Sequence, residues 1–188
     1  MIKKSTQNTS HCGRIIWVVL LVLASLCGSL MLSCIAPFVA LAVALAGTVR
    51  LRIAMIAMTA IWLGNQFVGF VFYHLPRTWN TALWAVAIGG GALLTTLVSA
   101  NCLRRMASLP AVARLGIALM VSCSVYEISL FAATLVLGGA ETFSPAIIEQ
   151  IALINATWLI ALVVLNELMS ALCTPWFGAT PRLIKANV

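Results

Sequence analysis

The sequence predicts an all-α integral membrane protein of six transmembrane helices with both termini in the cytoplasm. Three observations carry that prediction. First, 63% of the 188 residues are hydrophobic and 8% are charged, with a mean hydropathy of +1.10, far from the balance of a soluble domain. Second, the apolar residues fall in long runs, most of them near the roughly 20 residues that span a hydrocarbon core. Third, ten of the eleven Lys and Arg residues interrupt those runs at alternate positions: Lys3/Lys4/Arg14, Arg50/Arg52, Arg104/Arg105/Arg114 and Arg182/Lys185. Cytoplasmic loops retain such charges, and Arg77 alone falls on the other side. The net charge of +7 is then a topology signal and a contact with anionic lipid heads, and nucleic acid is not an expected partner.

The chain reads as one transmembrane domain, 1–188, with a cytoplasmic segment 1–14, a helical bundle 15–172 and a cytoplasmic tail 173–188. The first span runs from Ile15 to Cys34. The second, from Ala36 or Pro37 to Val49, is short, and is tilted, continued past Arg50 or partly re-entrant. The third covers Ile53 to Tyr73, the fourth Thr81 to Ala100, the fifth Val112 to Gly138 and the sixth Ala146 to Leu172. The extracytoplasmic loops 33–37, 74–80 and 139–145 are too short to form a domain. An outward-facing site must therefore be built from helix ends and these connections. The expected location is the bacterial cytoplasmic (inner) membrane, as a multi-pass protein.

Lys3, Lys4 and Arg14 ahead of an apolar stretch have the form of a signal peptide, and Leu32-Ser33-Cys34 loosely matches a lipoprotein cleavage site. The apolar run continues through Cys34, and removing the first span would destroy the charge alternation, so the segment reads as a retained helix. The six cysteines, at 12, 27, 34, 102, 123 and 173, show no CxxC or metal spacing. Most lie in the membrane or on its cytoplasmic side, where disulfides are disfavoured.

Small residues recur every fourth position in the first two spans, as Ala24/Gly28, Ala36/Ala40/Ala44 and Ala42/Ala46. Such stripes let helix backbones approach closely in lipid. They serve either internal packing or docking of another membrane subunit. Gly89-Gly90-Gly91 in the fourth span has the same two readings, and a third in which a ligand approaches bare backbone.

No enzyme is expected. The chain lacks HExxH, GxSxG and a phosphate-cradling Gly-Lys-Ser loop, and it contains no aspartate, so two-metal and aspartyl-phosphate chemistry have no evident ligands.

Polar and aromatic residues instead gather near the extracytoplasmic surface. Gln66, Phe70 and His74 are spaced by four and share one face if the third helix extends to His74. The following loop supplies Arg77, Trp79 and Asn80, with Trp84 early in the fourth span. Tyr73, Trp79 and Trp84 also suit an interfacial aromatic belt. His74 is a metal ligand, a proton acceptor or an interfacial hydrogen-bonding residue. Arg77 snorkels to lipid phosphate or meets an anionic substrate group.

Glu127 falls near the middle of the fifth span, where an ionisable group is costly unless it is paired, neutral or facing water. It is either functional or a protonated hydrogen-bond donor. Glu149 suits the early turns of a helix begun by Ser144-Pro145, and Glu167 is placed to meet cytoplasmic arginines. Asn155 and Asn166 lie on one face of the sixth span, suited to interhelical hydrogen bonds or a polar cavity.

The stretch from Ile61 through Gly64-Asn65-Gln66 to Phe72-Tyr73-His74-Leu75-Pro76, followed by Arg77-Thr78-Trp79-Asn80-Thr81 and then Trp84 with Gly89-Gly90, resembles the central signature of small six-helix cobalamin transporters. That family is related to the substrate-binding subunits of energy-coupling-factor importers. The resemblance implies uptake of vitamin B12 or a related corrinoid, carried as substrate with no cofactor of the protein's own. It also implies a binding cavity on the extracytoplasmic side. The residues' own chemistry fits such a ligand, with Trp79, Trp84, Phe70 and Tyr73 placed to cover a flat macrocycle, Gln66 and Asn80 to bond its amide side chains and Arg77 to meet its phosphate; His74 and the intramembrane Glu127 are the further candidate substrate contacts. Some family members hold cobalt through a cysteine thiolate. This chain has no cysteine in the matching segment, and His74 is the nearest alternative axial ligand for cobalt. The implied partners are the corrinoid, membrane lipids and a membrane coupling subunit with ATPases. Two alternatives stay open: a proton-coupled carrier of another small solute that relays through Glu127, and a non-transporting assembly or regulatory subunit.

Overall fold

The computed structural model describes residues 2–31, 36–140, 143–177 and 183, with residues 2–12, 31 and 173–177 described as helical backbone alone. Among the described residues the fold is entirely helical: α1 (Ile2–Met31), α2 (Phe38–Thr48), α3 (Leu51–Val71), α4 (Trp79–Arg105), α5 (Ala111–Leu137) and α6 (Pro145–Phe177). Five of them are long and apolar enough to cross a membrane. The sixth is α2, a shorter apolar helix that lies within the bounds of the expected short second span.

At 11 residues, α2 is about 16 Å long, about half of a bilayer's hydrocarbon thickness of roughly 30 Å. Every residue from Phe38 to Leu45 is buried, and α2 packs against all five other helices. A helix that is apolar on all sides belongs in the core of a bundle. The alanine stripe therefore packs inward: Ala40, Ala42 and Ala44 are wholly buried, which leaves them no surface to offer a partner subunit.

Both ends of α2 are tied to other helices. Pro37 supplies no side-chain cap, and the Ala40 N–H instead donates to Asn155 Oδ1 on α6 at 3.0 Å. At the other end Thr48 Oγ1 donates to Ala44 O at 2.6 Å and accepts from Trp17 Nε1 on α1 at 3.0 Å. Unpaired backbone groups are expensive away from water, so these bonds are what permit a helix to begin inside the bundle.

Ordinary punctuation bounds the longer helices. Thr78 caps α4, its Oγ1 accepting from Thr81 N at 3.2 Å, and Arg104 and Arg105 in the last turn complement the helix dipole. Gly138 closes α5 with φ +80°, a conformation that L side chains resist. Ser144 starts α6, accepting from Ile147 N through its carbonyl at 3.0 Å, and Pro145 occupies the first helical position. Helix α1 begins before the expected Ile15, α4 continues past Ala100 to Arg105, and α6 continues past Leu172 to Phe177. The Leu32-Ser33-Cys34 stretch that loosely matches a cleavage site, the tail charges Arg182 and Lys185, and most of loop 33–37 lie outside the described residues, as do Glu141 and Thr142 of loop 139–145.

Close approaches are made at small residues. A Cβ on Gly28 of α1 would lie 2.8 Å from the Trp158 ring of α6, and one on Gly89 of α4 would lie 2.5 Å from the Trp62 ring of α3. A Cβ on Gly91 would meet Ser129 and Tyr126 of α5, whereas one on Gly90 would meet nothing within 4 Å. The glycine triplet thus serves helix packing at its first and third positions.

Of the asparagine pair on α6, Asn155 makes the expected interhelical bond and Asn166 binds the backbone of the tail. Asn155 caps α2, and Asn166 Oδ1 accepts from Leu183 N at 2.9 Å. Glu167 shows no arginine partner among the described residues: its Oε1 is buried without a hydrogen bond.

Candidate functional site

The residues singled out between 66 and 84 assemble at the end of the bundle where α3 turns into α4. Helix α3 stops at Val71, three residues short of His74. Pro76 lacks an N–H and disfavours helical geometry in the residue before it, so the helix unwinds ahead of it. His74 adopts a left-handed φ of 50°, tolerated by histidine better than by branched residues. Leu75 N then reaches back to Gly69 O at 3.2 Å. The expectation that Gln66, Phe70 and His74 share a helical face is corrected: Gln66 and Phe70 lie on α3, and His74 projects from the loop beyond it.

Three of the expected residues come together. Phe70, Arg77 and Trp79 line one hollow of about 310 Å³, together with Thr78 and Ala82. Trp79 opens α4 and is 86% exposed, so its indole stands free at the rim. Arg77 is exposed, leaving its guanidinium available to an anion. Thr78 was not anticipated. The sequence signal for it is the Thr-x-x-Thr spacing at a helix start, where its hydroxyl caps α4 and also meets Thr81 Oγ1 at 2.9 Å.

The other expected residues occupy the surroundings. Tyr73 donates its hydroxyl to Leu30 O at 2.6 Å, fastening the loop to the last turn of α1, where carbonyls lack helical partners. His74 and Asn80 are exposed. Gln66 is half-buried and donates through Nε2 to Asn65 Oδ1 at 3.5 Å, while Asn65 Nδ2 donates to Ser29 Oγ at 2.9 Å. Trp84 is half-buried, and its ring lies 3.7 Å from where a Cβ on Gly139 would stand. Trp62 on α3 donates its indole N–H to Ala85 O at 2.9 Å. That bond and the Gly89 contact fix the crossing of α3 and α4 that sets the hollow's shape.

Glu127 lines a different cavity, between α5 and α6. Glu149, which the sequence suggested only as a dipole partner, lines that same cavity. Among the described residues no group of three or more His, Cys, Asp or Glu could hold a metal ion. His74 could supply one axial imidazole, which is all that a cobalt already held in a macrocycle would require of it.

The chain matches no family model, no curated protein and no solved structure.

Proposed function

We propose that the protein is a carrier of the bacterial cytoplasmic membrane, with both termini cytoplasmic, that binds cobalamin or a related corrinoid at its extracytoplasmic side and moves it inward. The observation that carries this reading is the coincidence of the signature-like stretch 61–90 with one solvent-facing hollow lined by Phe70, Arg77 and Trp79. Aromatic faces would cover part of the macrocycle, and the guanidinium would meet the phosphate of the nucleotide loop. A hollow of about 310 Å³ is at the lower limit of small-molecule sites, so it would grip one edge of a corrinoid while the exposed loop residues cover more of it. His74, held outside the helix, would approach the cobalt from the loop.

The test is the visible spectrum of detergent-purified protein after incubation with aquo- and cyanocobalamin and removal of free ligand, with His74→Ala in parallel. Retained corrinoid with a spectral shift that the variant loses supports both the substrate and the imidazole–cobalt contact. Retention with no difference keeps the substrate and discards the ligand. Failure of folded protein to retain either corrinoid overturns the reading. Transport runs either alone or with a membrane coupling subunit and ATPases, and pull-down of the tagged protein separates the two.

A further inference from the structure

The geometry points to a second binding site, independent of the corrinoid reading: the cleft between α5 and α6 takes a hydrophobic organic cation that enters sideways from the bilayer. The cleft measures about 570 Å³, within the range of sites for small molecules. Its walls are mostly apolar, with Met120 and Ile128 from α5 facing Leu153 from α6, and all three are largely exposed on the bundle's flank. The charged residues on those walls are Glu127 and Glu149, and no Lys, Arg or His lines the cleft.

The two carboxylates sit at different depths. Glu149 is four residues into α6, about 6 Å below its start. Glu127 is ten residues back from the end of α5, about 15 Å below the same end of the bundle. Glu127 therefore lies about 9 Å deeper along the bundle than Glu149, so the cleft carries acidic groups at two levels.

Glu127 is the group that asks for such a ligand. Both of its carboxylate oxygens are out of reach of water and neither accepts a hydrogen bond. A carboxylate in an apolar setting is costly unless a counter-charge, a donor or a proton satisfies it, and among the described residues neither a counter-charge nor a donor meets it. A rotation of the Glu127 side chain would present those oxygens to the cleft, so occupancy and side-chain movement are coupled. A bare metal ion is a poor occupant, because the walls offer too few hard ligands around it. An apolar body bearing one delocalised positive charge satisfies the walls and the carboxylate together.

Radiolabelled tetraphenylphosphonium and the full-length protein in detergent supply the test, by equilibrium dialysis. Saturable binding is expected, weakened at least tenfold by Glu127→Gln and restored by Glu127→Asp. Ala152→Trp, at an exposed position of the cleft wall, should block binding by occupying the space while thermal stability stays unchanged. If Glu127→Gln fails to fold, Ala152→Trp decides alone. Non-saturable binding, binding by Ala152→Trp equal to wild type, or equal affinity for neutral tetraphenylmethane overturns the proposal. None of these outcomes depends on whether a corrinoid binds.

Discussion

Asn155, ten residues into α6, accepts the backbone N–H of Ala40 in the first turn of α2 at 3.0 Å. It thereby acts as an N-cap supplied by another helix. Its Nδ2 is simultaneously tied to Ile151 O at 2.9 Å, which fixes the amide's orientation. Substituting Asn155→Leu removes the acceptor and strands a buried N–H, at a cost of about 1–3 kcal/mol. Thermal unfolding in detergent should show a clear drop in Tm for Asn155→Leu. An unchanged Tm would mean that α2 finds its cap elsewhere.

Gly89 and Gly90 are adjacent in sequence and opposite in consequence. Alanine at 89 drives a methyl into the Trp62 ring, which cannot retreat freely because its N–H is bonded to Ala85 O. Overpacking of this kind costs roughly 1–3 kcal/mol. Alanine at 90 meets nothing and gains helix propensity of up to about 1 kcal/mol. Gly89→Ala should melt earlier than wild type and Gly90→Ala no earlier, and Trp62→Phe should relieve part of the Gly89→Ala defect.

Tyr73 and Arg77 share a loop and differ in what they hold. The Tyr73 hydroxyl is already engaged with Leu30 O, so Tyr73→Phe should cost about 0.5–1.5 kcal/mol of stability and leave corrinoid affinity within about twofold, the ring being kept. Arg77 is exposed beside Trp79; Arg77→Ala should leave Tm unchanged and weaken corrinoid binding about tenfold or more, as loss of a charge-assisted contact requires. Affinity of both variants is measured by dialysis against cyanocobalamin. A reversal of the two patterns would transfer the ligand contact to Tyr73.

How far the sequence reveals this fold depends on punctuation. Helices α3 to α6 are legible because Pro, Gly and Arg stand at their ends: Pro76, Pro110, Gly138 and Pro145 each lie at or within a few residues of a boundary. The place of α2 is not legible, because an apolar run of 11 residues looks the same whether it faces lipid or other helices. Its shortness is legible, and its enclosure by the other five helices is not. In the site, Phe70, Arg77 and Trp79 were readable from composition and position. The i, i+4 spacing that joined His74 to Gln66 and Phe70 required a helix reaching His74, and α3 stops at Val71 ahead of Pro76. The shared cavity of Glu127 and Glu149 depends on how α5 and α6 splay, which no spacing within either helix encodes.

Ser99 on α4 and Ser122 on α5 place their hydroxyls 2.7 Å apart, both wholly buried. In lipid the apolar effect contributes little between helices, and packing with occasional hydrogen bonds holds them together. Either single alanine substitution removes the bond and leaves the other hydroxyl unpaired. The double substitution removes the donor and the acceptor alike, so its cost should fall below the sum of the two. Each single variant should lose about 0.5–2 kcal/mol, with a coupling of about 0.5–1.5 kcal/mol. Reversible denaturation of the four proteins in mixed micelles closes the cycle. Additive losses would mean that the α4–α5 contact rests on its close packing, at Gly91 against Tyr126, and not on the serine pair.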